Sequence, residues 1–202
     1  MDPISVTADA ETFTCNAYLV PGETTTTLVD AGAMAGVVDV IESHVETVDA
    51  VVLTHQHSDH VAQLDAVVER FSPDVYAYAD HDHRTHEIHD DDTVPIGDEV
   101  VDVVYTPGHA DDHVSLVSDT VLFSGDVVVY NDGAFEDGSF GRTDMAGQSR
   151  ERLIESLRDL RPHLDGVDAI YAGHGDSFTG DVRAVVERAL ARAERHEPKY
   201  PE

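Results

Sequence analysis

The apolar run Val51-Val52-Leu53-Thr54 ends abruptly in His55-Gln56-His57-Ser58-Asp59-His60, and no other stretch restricts so tightly what this chain can fold into. A short apolar run bounded by polar residues reads as a buried strand. If residues 55–59 stay extended, the side chains of His55, His57 and Asp59 project to one side, because a strand has a period of two. His60 then enters from the next turn of chain. Imidazole and carboxylate suit zinc or iron, and such centres gather close ligands from one loop and further ligands from distant chain.

The remaining pattern alternates short strands with helices. Strands are expected at 4–7, 15–20, 26–30, 51–54, 74–79, 100–105, 114–117, 121–123 and 168–171. Helices are expected at 36–47, 60–71, 148–160 and 180–195, and residues 81–93 read as a charged loop or short helix. Residues 126–147, rich in glycine and aspartate, lack periodicity and suggest a loop region at an active site. At 202 residues the chain reads as one domain, 1–202, with a substantial core. An internal echo supports an α/β architecture. A strand ending Asp30-Ala31-Gly32, a helix and a strand ending at His55 are matched later by a strand ending Ser124-Gly125-Asp126, a helix and a strand ending at His174. Two such units imply two facing sheets with helices outside and a site where the strands end.

Charge narrows the partners. With 41 acidic and 12 basic residues the net charge is −29, and Lys199 is the only lysine. Phosphate backbones require arginine and lysine clusters, so nucleic acid is disfavoured. The hydrophobic share of 41% and the regular patterning argue against disorder. Excess acid keeps a surface hydrated where salt screens its self-repulsion, and the composition resembles that of proteins from halophilic organisms. No apolar run has membrane length and no leader is evident, so a cytoplasmic location is expected. Cys15 stands alone, which excludes an intrachain disulfide and a cysteine zinc finger, and it reads as a packing residue.

Three more polar residues follow glycine at strand ends: His109, Asp126 and His174. With His55, His57, Asp59 and His60 they make seven candidate ligands. One metal with an open position needs three or four; seven suit two metals sharing a carboxylate. A second histidine group, His81, His83, His86 and His89, lacks an apolar frame and reads as a solvated loop. His113 reads equally as a substrate contact or a support for the centre. Asp30 reads as a hydrogen-bonding support for a ligand.

HxHxDH at 55–60, Thr106-Pro107-Gly108-His109, Ser124-Gly125-Asp126 and Gly173-His174-Gly175 occur together in an order that resembles the metallo-β-lactamase superfamily, over about residues 15–175. The resemblance implies an αβ/βα four-layer sandwich. It implies one metal on His55, His57 and His109, a second on Asp59, His60 and His174, and Asp126 bridging. Many relatives have a glycine soon after the last histidine of the first motif, where this chain has Val61-Ala62-Gln63. Class B β-lactamases carry a cysteine in the second set, and flavodiiron proteins a glutamate at the position of His57. RNase-type members add a domain and a basic surface. Ser139-Phe140-Gly141-Arg142-Thr143-Asp144 resembles instead the GRTD loop of small glyoxalase II-like thioesterases and of persulfide dioxygenases.

The first resemblance implies two zinc ions, with iron as an occupant of one or both positions, and hydrolysis of a small-molecule thioester by metal-bridged hydroxide attack on the carbonyl. Asp59 would be catalytic, orienting the hydroxide as well as ligating. The second implies a mononuclear Fe(II) on His55, His109 and Asp126 that oxygenates a persulfide. Hydrolysis is favoured, because it leaves no ligand idle. Only one helix follows His174, leaving no room for the glutathione-binding helical domain of longer relatives, so the thiol carrier stays open. Arg142 and Asp144 read either as substrate contacts or as a pair locking their loop.

Overall fold

In the first part of the chain, apolar strands build one sheet in the order β1 (Ile4–Ser5), β2 (Tyr18–Val20), β3 (Thr27–Val29), β4 (Ala50–Val52), β5 (Asp74–Ala77) and β6 (His86–Glu87). β3, β4, β5 and β6 run parallel to one another, and β2 is antiparallel to both of its neighbours, β1 and β3. β2, β3 and β4 are buried at every position, as expected of strands covered on both faces. The computed structural model describes residues 1–197. It divides into two compact units, Met1–Asp102 and a second from Val103 onward.

Helix α1 (Val37–His44) carries the chain from β3 to β4. At eight residues and without a side-chain cap it is too short to persist alone. Val37 and Ile41 hold it by packing with Leu28, Val51 and Leu53 in the first unit's core. Each fully buried aliphatic side chain contributes roughly 1.5–3 kcal/mol, which outweighs weak propensity over so short a helix.

The helix expected at 60–71 is instead two: α2 (Ser58–Val61) and α3 (Leu64–Phe71). An unbroken helix would use the His60 carbonyl for the Leu64 amide. That carbonyl accepts instead from the amides of Ala31 and Gly32 at 2.9 and 3.0 Å, while the Gln63 amide donates to Gly32. Docking of the Asp30 loop therefore divides the helix. Because α2 begins at Ser58, the extended stretch ends at His57, and Asp59 lies in a helical first turn rather than in register with His55 and His57.

Three further strands were not expected, two in the first unit and Phe178–Thr179 in the second. β6 is two residues long within the supposed loop 81–93. β7 (Thr93–Ile96) contains Pro95, which marks it as an edge-type strand, and it pairs antiparallel with the start of β8 (Glu99–Tyr105). The division between the units falls within β8.

The second unit continues the other sheet, in the order β12 (Phe178–Thr179), β11 (Ala169–Ala172), β10 (Val121–Gly125), β9 (Val114–Val117), β8, with β7 beyond. β9 and β10 form the expected hairpin, while β10 and β11 pair in parallel, Leu122 opposite Ile170. The crossover runs through the 126–147 segment, α4 (Arg150–Leu160) and a 3-10 turn, Arg161–Leu164. Ser149 caps α4 and Asp181 caps α5 (Val182–Glu194). Leu153, Leu157 and Leu160 of α4 pack with Val182, Val185, Val186 and Ala189 of α5 against Leu122 and Ile170. The sequence echo is thus realised as two parallel β-α-β units, β3–α1–β4 and β10–α4–β11.

Candidate metal centre

In the first unit, His55 and His57 follow β4 directly, and His55 Nε2 lies 3.1 Å from His57 Nδ1. His55 is buried at 1% exposure and His60 at 0%. Asp30, at the end of β3, has φ 59°, a left-handed conformation that aspartate tolerates better than most residues. One carboxylate oxygen accepts from the Thr54 amide at 2.8 Å. The other accepts from the Thr54 hydroxyl at 2.8 Å and from His60 Nδ1 at 2.8 Å. A carboxylate only accepts, so His60 carries its proton on Nδ1 and presents Nε2 as a lone pair. His55 Nδ1 lies 3.2 Å from the Thr54 hydroxyl. Asp59, with its side chain 17% exposed, stands 4.0 Å from His60 Nε2.

Cys15 brings a residue the sequence reading had set aside. Its amide donates to the Asp59 carbonyl at 3.3 Å. Its sulfur belongs to a buried group with Asp30 and His60, the ligand atoms within 4.8 Å of one another. Separations of fifteen and forty-five residues carried no signal of this contact.

In the second unit, Asp126 follows β10 and His174 follows β11, while His109 ends the turn after β8. One oxygen of Asp126 faces His109 Nε2 at 3.2 Å and His174 Nε2 at 3.4 Å. Asp126 and His109 are buried, and the His174 side chain is 24% exposed. His109 Nδ1 donates to the Arg142 carbonyl at 2.9 Å, which places the ring's acceptor at Nε2, the nitrogen that faces Asp126. His113 is wholly buried; its Nδ1 pairs with Thr106 Oγ1 at 2.8 Å and its Nε2 accepts from the Asp126 amide at 2.9 Å. Of its two readings, the support role is the one realised.

Two glycines allow this crowding. Gly108, at φ 135°, lies so close to α4 that a Cβ would overlap the Leu153 backbone. At Gly141 a Cβ would overlap the Asp126 carbonyl and stand 2.9 Å from His109 Nδ1. Arg142 and Asp144 form a two-pronged pair, both bonds 2.9 Å, and this pulls the Asp144 carboxyl below the usual range.

The second histidine group does not converge. His83 binds Asp65 at 2.7 Å, His86 stacks on Tyr76 and faces Asp74 at 3.5 Å, and His89 faces Glu87 at 3.8 Å. Among the described residues, the sets able to hold a metal include none of these histidines. No helix of the described residues is long and apolar enough to cross a membrane.

A family model described as the Metallo-beta-lactamase superfamily matches residues 10–191. Hydroxyacylglutathione hydrolase of Aliivibrio fischeri is 34% identical over 151 residues, covering 73% of this chain and 56% of that protein. The chain therefore spans little more than half the length of that relative. An uncharacterised protein of Mycobacterium bovis is 30% identical over 198 residues, covering 82% of this chain and 88% of that one. Among solved structures, ETHE1 from Myxococcus xanthus matches with a TM-score of 0.74 at 24% identity, covering 98% of this chain and 92% of that chain. At this identity the likeness is one of fold.

Proposed function

The chain belongs to the metallo-β-lactamase superfamily and has its α/β fold, and from this we propose that it is a metal-dependent hydrolase of thioesters. The proposed ligands are His55, His57 and His109 for one metal and Asp59, His60 and His174 for a second, with Asp126 shared. The observation that carries a shared carboxylate is the single Asp126 oxygen facing the Nε2 atoms of both His109 and His174. The donor set fits zinc. Two ligand nitrogens on a tetrahedral zinc stand about 3.3 Å apart, and the His55–His57 separation is 3.1 Å. Iron is the other metal that imidazole and carboxylate accommodate.

Metals held there would supply Lewis-acid polarisation of a carbonyl and acidification of water. The chain's own residues do the positioning. Asp30 and the Arg142 carbonyl fix the tautomers of His60 and His109, and His113 holds the backbone of Asp126. Asp59, more exposed than His60 beside it, orients the attacking water and takes up its proton. No serine or cysteine nucleophile is needed. The thioester class follows the 34% identity to hydroxyacylglutathione hydrolase. Because the chain covers only 56% of that relative, glutathione is not assumed as the carrier. The proposed setting is the cytoplasm.

The test is metal analysis of protein purified without added metal, beside hydrolysis of 2-hydroxyacyl thioesters and oxygen uptake with a persulfide. About two zinc ions per chain with thioester hydrolysis and no oxygen uptake is the expected result. One iron per chain with oxygen uptake would overturn it in favour of persulfide dioxygenation.

A further inference from the structure

The segment after Asp126 has no helix, and its one isolated bridge pairs Val129 with Ser139. Yet its far end supplies the Arg142 carbonyl that orients His109. Helix α5 holds this segment in place. Arg188 Nε donates to the Asp137 carbonyl at 2.6 Å. Arg192, one turn further along, donates to the Gly138 carbonyl and pairs with Asp137 Oδ1 at 2.8 Å. Its guanidinium also covers the Phe135 ring, 4.3 Å from the centroid. Its side chain is only 16% exposed.

From Gly138 the path to His109 is four residues of restrained chain. The Gly138 amide donates to Tyr130 at 2.9 Å, and Ser139 exchanges two bonds with Val129 at 3.0 and 2.8 Å. Phe140 is buried, Gly141 lies against the Asp126 carbonyl, and Arg142 accepts from His109. A carbonyl, a carboxylate and an aromatic face within reach of one side chain call for a planar, multi-donor cation, which lysine cannot replace.

We propose that Arg192, assisted by Arg188, is a positioning residue for His109: α5 sets where the Arg142 carbonyl stands, and so which ring nitrogen of His109 carries the proton. The effect on metal rests on the reading of His109 as a ligand; the effect on the tautomer does not. Because Arg192 is mostly buried, its loss also lowers global stability, so the readouts that report on the loop itself are zinc affinity and the His109 tautomer. Arg158 supplies the control. It pairs with Glu194, also on α5, at 2.5 Å, and among the described residues it has no hydrogen bond or ion pair to the loop.

The experiment compares full-length wild type, Arg192→Gln, Arg188→Gln and Arg158→Gln. Zinc affinity is read by chelator competition, and the His109 tautomer by nitrogen-15 NMR of the metal-stripped chain. Arg192→Gln is expected to weaken zinc binding about tenfold and to populate the Nε2–H form of His109. Arg188→Gln should shift both in the same direction by less, and it decides the matter if Arg192→Gln does not fold. Arg158→Gln should change neither. Equal behaviour of the Arg192 and Arg158 variants in both readouts would overturn the proposal. If wild type takes up no zinc, the hydrolase reading falls, while the tautomer populations still decide the role of Arg192.

Discussion

Asp30→Asn separates the two jobs of the buried carboxylate. Asparagine also tolerates φ 59°, so the backbone is kept. Its carbonyl oxygen can still accept from the Thr54 amide, but its NH2 replaces the oxygen that faces the Thr54 hydroxyl and His60 Nδ1. The hydroxyl can rotate and accept. His60 can comply only by moving its proton to Nε2, the nitrogen proposed to bind metal. Two bonds to a charged acceptor, each contributing roughly 1.5–3 kcal/mol, are exchanged for neutral ones near 1 kcal/mol. The net loss should be roughly 1–4 kcal/mol in urea unfolding of the metal-free chain, where metal linkage does not contribute. Zinc affinity should fall about 10–100-fold. Asp30→Ala leaves three donors unpaired and should lose more. A loss below about 1 kcal/mol, with His60 still protonated on Nδ1 and zinc affinity unchanged, would refute the reasoning.

Gly108→Ala should destabilise the chain by more than about 1 kcal/mol, since the added methyl meets the α4 backbone and φ is 135°; a wild-type melting temperature and zinc content would contradict it. The Asp98 carboxyl is held below the usual range by the amides of Glu23 and Thr24, then by the Thr24 hydroxyl. A lowered folded pKa contributes stability above the unfolded value, lost as pH falls through the folded one. Wild type should therefore be more stable than Asp98→Asn at neutral pH, and thermal melts should converge below about pH 4. With a net charge of −29, raising potassium chloride from about 0.1 to about 2 M shortens the screening length severalfold and should raise the melting temperature. A flat or falling trend would count against self-repulsion.

Residue order alone determined a good deal. Apolar runs between breakers marked β4, β9 and β10, because burial at every position leaves a compositional trace, while β8 showed as an apolar stretch closed by Thr106-Pro107-Gly108. The echo of Asp30-Ala31-Gly32 with Ser124-Gly125-Asp126 foretold two parallel β-α-β units, and the seven candidate ligands were picked out as histidines and aspartates at or shortly after strand ends, although Asp59 and His60 lie in α2. Short or edge pairings were not legible. β6 and β12 span two residues each, below any periodicity, and Pro95 disguised β7. The divided helix was hidden because its cause is a carbonyl captured from outside: His60 accepts from Ala31 and Gly32, twenty-nine and twenty-eight positions away. The same holds around the candidate ligands. His113 under the Asp126 amide, Cys15 beside His60, and the Arg142 carbonyl on His109 are contacts of backbone or of distant chain. Residue identity advertises which side chains can bind a metal. Which nitrogen of each imidazole is open is decided by its hydrogen-bond partner, and only tertiary structure brings that partner within 3 Å.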